Sequence, residues 1–289
     1  MTQFNSFGLD PAIVKAVTAK GYTTPTPIQA QAIPPVMSGK DLLGVAQTGT
    51  GKTAAFALPI LHRLATNRVR PSPKHCRTLV LSPTRELATQ IAESFKAYGA
   101  ILGISVATVF GGVKYGAQIR GVANGVDVLV ATPGRLLDHL QQGTARLDET
   151  EIFVLDEADQ MLDLGFLEPI RKLIRKLPRE RQNLFFSATM PGAIATLSGE
   201  ILRDPLEVRV APQATTVERV VQRVIHMQET LIRIVWVSPL AIVLSWVHHG
   251  LGRRNWAHAC FWAYRQHWRM RVLDCCRVRT WTDWNVLVQ

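Results

Sequence analysis

Ala46-Gln47-Thr48-Gly49-Thr50-Gly51-Lys52-Thr53 has the residue types and spacing of a loop that cradles phosphate. It follows the run Asp41-Leu42-Leu43-Gly44-Val45 and opens a segment of helical character, Ala54 to Leu64. That is the strand, loop and helix setting such a loop needs. Gly49 and Gly51 permit a tight turn with its N–H groups aimed inward, and the nascent helix adds its positive end at the same point. Lys52 is placed to neutralise outer phosphates, and the Thr53 hydroxyl can bind a magnesium ion bridging them. Ala46 stands where the general pattern has glycine, and a small residue is all that position requires. The stretch predicts binding of a nucleoside triphosphate with Mg2+.

A second element carries acid chemistry. Ile152-Phe153-Val154-Leu155 runs straight into Asp156-Glu157-Ala158-Asp159. A buried strand of this kind would deliver Asp156 to the phosphate site to hold magnesium, usually through water. Glu157, next to it, is the candidate to orient the attacking water, because phosphoryl transfer depends on positioning and charge stabilisation. Taken alone, the three carboxylates would read as a solvated turn after a strand. The phosphate loop upstream gives them a partner.

These stretches need a scaffold, and the rest of the chain supplies its pattern. Apolar runs of strand length recur at Thr78 to Leu81, Val106 to Phe110, Val126 to Val130, Ile152 to Leu155, Asn183 to Phe186 and Leu206 to Val210. Segments of helical spacing lie between them, notably Glu86 to Tyr98, Arg135 to Gln141, Glu168 to Leu177 and Ala193 to Leu202, and a short amphipathic helix is predicted over Pro11 to Ala19. Pro25-Thr26-Pro27 reads as a rigid turn before Ile28-Gln29. Continuous apolar strands alternating with helices predict an α/β fold: a parallel sheet covered on both faces, with functional loops at the carboxyl ends of its strands.

The motifs in order make a resemblance specific. Gly21-Tyr22 through Pro25-Thr26-Pro27-Ile28-Gln29 is followed by Ala46 to Thr53, Pro83-Thr84-Arg85-Glu86-Leu87, Gly111-Gly112, Thr132-Pro133-Gly134-Arg135, Asp156 to Asp159 and Ser187-Ala188-Thr189. Over about residues 4 to 227 the chain resembles the first, RecA-like P-loop lobe of the DEAD-box ATP-dependent RNA helicases, with wording similar to the bacterial RhlE-like branch. The resemblance implies that Gln29 reads the adenine edge of ATP and that Phe4 stacks on the base, a role for which Phe7 competes. It also implies that Gln47 and Asp159 form a polar pair joining the nucleotide motifs, and that Ser187, Ala188 and Thr189 couple hydrolysis to strand separation. Pro83, Thr84 and Arg85, Gly111 and Gly112, and Thr132, Pro133, Gly134 and Arg135 are expected to face RNA. Hydroxyls, arginines and helix-start N–H groups suit phosphate and ribose oxygens, so binding is expected to be independent of base sequence and sensitive to salt. No stacking aromatic or base-reading side chain is apparent in these loops. Complexes of ribosome assembly or RNA turnover are the partners the family suggests, and the oligomeric state stays open.

Composition bounds the remainder. At 289 residues and 47% hydrophobic content the chain suits one large globular domain or two small ones. Four unevenly spaced Cys make no disulfide framework, and no leader-like segment opens the chain, so a cytoplasmic protein is expected. A net charge of +11 fits a polyanionic partner. All seven Trp lie at or beyond Trp236, in a stretch without Lys, so the chain changes character near residue 228. The expected organisation is a Q-motif region over 1–35, a RecA-like lobe over 36–210, the start of an interlobe linker over 211–228 and an atypical, disordered tail over 229–289. Nothing after Met227 resembles the family's second lobe or its arginine fingers. The tail reads first as an aberrant or out-of-register segment. A membrane-interacting stretch at Ile234 to Val247 and a site built on His248, His249, His258, Cys260, His267, Cys275 and Cys276 are weaker alternatives. The expectation is a helicase reduced to its ATP-binding lobe, with a non-catalytic nucleotide-dependent RNA binder as the rival.

Overall fold

The structure is a computed structural model describing residues 3–210, so the expectations for 211–228 and for the tail lie outside the described residues. A single-turn 3-10 helix at Phe4–Phe7 leads into α1 (Pro11–Ala19) and α2 (Pro27–Met37). Then follow β1 (Leu42–Val45), α3 (Lys52–Thr66), β2 (Cys76–Leu81), α4 (Arg85–Tyr98), β3 (Val106–Val109), α5 (Tyr115–Val122), β4 (Val126–Ala131) and α6 (Pro133–Gln141). The lobe closes with β5 (Ile152–Leu155), α7 (Ala158–Asp163), α8 (Leu167–Ile174), β6 (Gln182–Ser187), α9 (Gly192–Ile201) and β7 (Leu206–Arg209).

The seven strands form one parallel sheet in the order β3-β4-β2-β5-β6-β1-β7. Its inner strands β2, β4, β5 and β6 are buried at nearly every position because both faces are covered. On β6, Leu184 and Phe186 pack into the core beneath α1 to α4, while Phe185 between them packs into the opposite core with α5 to α9. In the first core Phe186 and Phe95 each contact Phe56 of α3, with ring centroids 5.3 and 6.2 Å apart. This crowding explains Gly44 in the middle of β1, since a Cβ there would lie 2.6 Å from the Phe186 ring. The expected fold class is therefore the observed one.

Three helices differ from expectation. Pro25-Thr26-Pro27 is the entry to a helix, because Pro27 occupies its first turn, where a missing N–H has no intrahelical acceptor to lose. The helix then continues through Pro34 and Pro35 close to its end. Helix α5, and α7, which begins inside the acidic motif at Ala158, also have no counterpart among the expected helices.

At the amino ends of the strands, buried Asp41 ties three strands together. It accepts from the Asn183 N–H at 2.7 Å, the Asn183 side-chain amide at 2.9 Å and the Arg203 N–H at 2.9 Å. Gln182 adds bonds to the Val36 and Lys40 carbonyls. Among the described residues no helix is long and apolar enough to cross a membrane.

Candidate functional site

Every motif except Pro25 to Gln29, which opens α2 ahead of the first strand, lies at or beside the carboxyl end of a strand, and strand order decides which motifs become neighbours. The loop after β1, the acidic residues after β5 and Ser187-Ala188-Thr189 after β6 share one half of that edge. The motifs after β2, β3 and β4 share the other half.

In the first half, Gly49 and Gly51 have φ of 83° and 95°, the left-handed backbone that glycine adopts without strain. Gly51 caps α3 with no side chain satisfying the helix N–H groups, and Gln47, Thr48 and Gly49 are exposed. Donors and a helix start therefore face solvent where an anion would sit. Lys52 is buried, and its Nζ donates to Glu157 Oε1 at 2.9 Å, while the Thr48 hydroxyl donates to the same oxygen at 3.1 Å. The pair joins residues 105 positions apart and brings the two chemical motifs into contact.

Glu157 has φ 56° and ψ 51°, a left-handed conformation unusual for a non-glycine residue, and it caps α7. Backbone strain of this kind, about 1–3 kcal/mol, persists where the surroundings over-determine it, and here the ion pair with Lys52 is part of that surrounding. Asp156 is buried and accepts from the Glu157 N–H at 3.1 Å. Burial pushes its carboxyl up from 3.8 to about 6, against the pull of Lys52 and with the help of the Glu157 charge. A raised value contributes stability that is complete below the unfolded pKa and is lost as pH rises through about 6. The fold thus penalises the ionised carboxylate that a divalent cation would neutralise, and this buried carboxylate beside an open phosphate loop fits magnesium.

Gln29 is buried and spans two segments: its Oε1 accepts from the Thr26 N–H at 3.0 Å and its Nε2 donates to the Gly51 carbonyl at 3.1 Å. These backbone partners fix the orientation of the amide, leaving one N–H and one oxygen lone pair for a purine edge. A Cβ on Gly51 would lie 2.4 Å from Gln29 Nε2. Gly51→Ala therefore combines a clash with left-handed strain, and is expected to weaken nucleotide binding by on the order of 100-fold while Gly49→Ala does less. Titration with a fluorescent nucleotide analogue checks this, and equal affinities for the two variants would refute it.

Two expectations need correcting. Phe4 is 4% exposed in the core, edge-on to Phe7 at 6.1 Å, so its ring anchors the amino-terminal turn and presents no open face to a base. Phe7 is the more exposed of the two. Gln47 and Asp159 are not paired. The Asp159 carboxylate instead accepts from the Thr189 N–H and hydroxyl, both at 2.9 Å, and from the Gln160 N–H. Burial raises its pKa, but these bonds outweigh it and hold the group below the usual carboxylate value. Ser187 accepts from the Asp159 N–H and donates to the Thr189 carbonyl, while half-buried Ala188 lies between these two hydroxyl residues.

In the second half, Thr84 caps α4 by accepting from the Leu87 N–H, whereas Thr132 starts α6 without spending its hydroxyl on the helix. Pro83 and Pro133 are buried and fix the two helix starts; Gly111, Gly112 and Gly134 are exposed. Arg85 is exposed, and its Nη1 lies 3.6 Å from where a Gly112 Cβ would stand. Arg135 donates to the Val113 carbonyl at 3.2 Å. The three motifs meet around Gly111-Gly112. Aromatic side chains are present as well: Phe110 and Tyr115 flank that loop, each beneath an arginine. Sequence reading missed them because neither lies in a motif and their partners are distant in the chain.

A parallel α/β lobe with a phosphate loop answered by a buried acidic strand end defines a nucleoside-triphosphate-binding protein. The DEAD/DEAH box helicase family model matches residues 26–197, and the chain belongs to that family. It is 46% identical over 214 residues to the ATP-dependent RNA helicase DeaD of Buchnera aphidicola subsp. Schizaphis graminum, an alignment covering 74% of this chain and 35% of the relative. It is 44% identical over 216 residues to the protein of the same name from Escherichia coli, covering 74% of this chain and 34% of the relative. A solved DEAD box protein from the hyperthermophile Methanococcus jannaschii superposes with a TM-score of 0.67 at 33% identity, over 72% of this chain and 56% of that one. The chain spans about a third of the length of these curated relatives.

Proposed function

We propose that residues 36–210 form the ATP-binding lobe of an RNA helicase, with 1–35 as its adenine-recognising region, and that the complete enzyme couples ATP hydrolysis to local unwinding of RNA. The observation that carries this reading is the contact between Lys52 and Glu157, which joins the phosphate loop to the acidic motif at 2.9 Å. Thr48, Gly49, Thr50 and Gly51 cradle phosphates with their backbone, Lys52 exchanges Glu157 for a phosphate oxygen, and Gln29 reads the adenine edge. Thr53 and Asp156 would hold magnesium, which supplies charge neutralisation at the outer phosphates. Glu157, once released by Lys52, orients the attacking water. Arg85, Thr84, Gly111, Gly112, Thr132, Gly134 and Arg135 bind RNA through its backbone, with Pro83 and Pro133 setting the helix starts. Asp159, Ser187, Ala188 and Thr189 lie in the nucleotide half of the edge and couple it to the RNA half. A cytoplasmic location and a role in ribosome assembly or RNA turnover accord with this reading. The RhlE-like assignment rests on motif wording, whereas the relatives reported above carry the DeaD name.

The 289-residue chain by itself is expected to bind ATP weakly, to hydrolyse it slowly and to unwind nothing, because its sequence carries nothing that resembles the family's arginine-finger motif to answer the charge of the transition state. ATPase rates with and without RNA, for this chain and for a version ending at Met227, test the point. Multiple-turnover unwinding by the purified chain would contradict it. The competing reading is a non-catalytic binder, favoured by the Lys52–Glu157 pair because that pair engages the groups hydrolysis needs. RNA binding with no measurable hydrolysis would establish it.

A further inference from the structure

Arg85 and Arg135, assigned above to RNA phosphates, rest on aromatic rings at the two ends of one loop. The Arg85 guanidinium carbon lies 5.5 Å from the centre of the Phe110 ring, and that of Arg135 lies 5.5 Å from the centre of the Tyr115 ring. Gly111 and Gly112 run between the two aromatics. A cation over an aromatic face is attracted by the ring's charge distribution, so each long side chain loses part of its freedom before any ligand arrives.

The two aromatic residues are joined through buried polar groups, at the backbone carbonyl of Phe110 and at the ring of Tyr115. Gln118 Nε2 donates to the Phe110 carbonyl at 2.8 Å, and Gln118 Oε1 faces His139 Nε2 at 3.3 Å. The His139 ring stacks on Tyr115 with centroids 4.2 Å apart and 23° between planes. The Thr144 hydroxyl lies 2.9 Å from His139 Nδ1 and 3.3 Å from the Tyr115 hydroxyl. Directions follow from the end of the chain of bonds: a carbonyl can only accept, so Gln118 turns its oxygen to His139, which must donate through Nε2. The single hydrogen of the Thr144 hydroxyl is then shared between His139 Nδ1 and the His139 carbonyl at 3.1 Å. Burial, and after it the charge of Arg135, hold His139 below the usual histidine pKa against the opposing pull of Asp138, so the ring keeps the Nδ1 lone pair. Gln118 and His139 are 7% and 0% exposed and sit outside every motif described above.

We propose that Gln118, His139 and Tyr115 are positioning residues that fix the separation of Arg85 and Arg135 across the Gly111-Gly112 loop, presenting two guanidinium groups already spaced for an RNA backbone. The proposal rests on assigning these arginines to RNA. Prior ordering of the two side chains lowers the entropy lost on binding and holds each guanidinium at its phosphate, so once the network is loosened a guanidinium leaves its phosphate although the arginine itself is still present.

The test uses the 289-residue chain, a fluorescent single-stranded oligouridine followed by anisotropy at several salt concentrations, and a fluorescent nucleotide to monitor the other half of the edge. Arg135→Ala and Gln118→Ala are each expected to weaken RNA binding by about tenfold. Each should flatten the log–log salt dependence by about 0.7, the value of one single-strand phosphate contact. In the double variant Gln118→Ala should add less than about twofold, because both changes remove the same contact. Nucleotide affinity should stay within about twofold in each case. An unchanged salt slope in Gln118→Ala, or full additivity, overturns the positioning role. If Arg135→Ala acts and Gln118→Ala does not, the assignment to RNA stands and the positioning role alone falls. If the unsubstituted chain does not bind the oligonucleotide, or Arg135→Ala leaves affinity unchanged, the assignment fails and takes the positioning role with it. Should Gln118→Ala also lose nucleotide binding, Tyr115→Leu and Tyr115→Phe decide: the proposal requires the first to flatten the slope and the second, which keeps the ring, to restore it.

Discussion

Lys52→Met is expected to weaken ATP binding by on the order of 100-fold, or about 2.7 kcal/mol, while Glu157→Gln keeps the nucleotide bound and lowers hydrolysis by at least about 100-fold. The two side chains share one bond, yet their removal is not equivalent. They differ because only Lys52 carries the charge that a triphosphate needs. Met preserves the buried volume of Lys52 while removing that charge. In Glu157→Gln the neutral amide still offers an oxygen to Lys52 but competes less for it, so ATP affinity should be unchanged or slightly tighter. The same change removes a negative charge that helps raise Asp156. Asp156 then ionises more easily, which favours a divalent cation. Nucleotide titration together with phosphate release in the presence of RNA reads both effects. Normal ATP affinity in Lys52→Met would remove Lys52 from its assigned role, and undiminished hydrolysis in Glu157→Gln would do the same for Glu157.

The largest effect on stability is expected far from the nucleotide. Asp41→Ala deletes the carboxylate that accepts two bonds from Asn183 and one from Arg203, and it leaves those donors facing an apolar side chain. Bonds to a charged acceptor contribute about 1.5–3 kcal/mol each, and a network loses less than their sum, so a destabilisation of about 3–5 kcal/mol is expected. Arg203 also meets Glu180 in an exposed pair at 3.3 Å, and Glu180→Ala should change stability by less than about 0.5 kcal/mol. Urea unfolding curves for the two variants provide the comparison. A midpoint shift for Asp41→Ala no larger than that for Glu180→Ala would mean that Asp41 does not clamp the sheet. The functional consequence is that β1 and β6, which end in the phosphate loop and in Ser187, are held in register from their opposite ends.

Much of this lobe is legible in the sequence because its determinants are local. Ile152 to Leu155 is apolar throughout since a central parallel strand is buried on both faces, and its bounds as read agree with those observed. The α1 helix shows its proline start and its apolar spacing within one segment. Gly49, Gly51 and Lys52 can be recognised because a phosphate loop is itself a contiguous piece of chain. The α2 helix was harder to see, because proline at a helix start and proline in a turn are written with the same residue.

What only the tertiary structure decided is non-local. Residue order puts the acidic motif after all three proposed RNA motifs, at β2, β3 and β4, yet strand order places β5 between β2 and β6, at the boundary between the two kinds of chemistry. The side on which each crossover helix packs settles that order, and it depends on the fit of whole faces. The same holds for the ring beneath each arginine, for the Glu157 oxygen that occupies Lys52 and for the burial that withdraws Phe4 from a base. Each is a contact between segments whose own sequences are compatible with other partners. Sequence by itself determined which residues can bind phosphate, metal and backbone oxygens; packing decided which of them meet, because only the closed core brings distant segments within bonding distance.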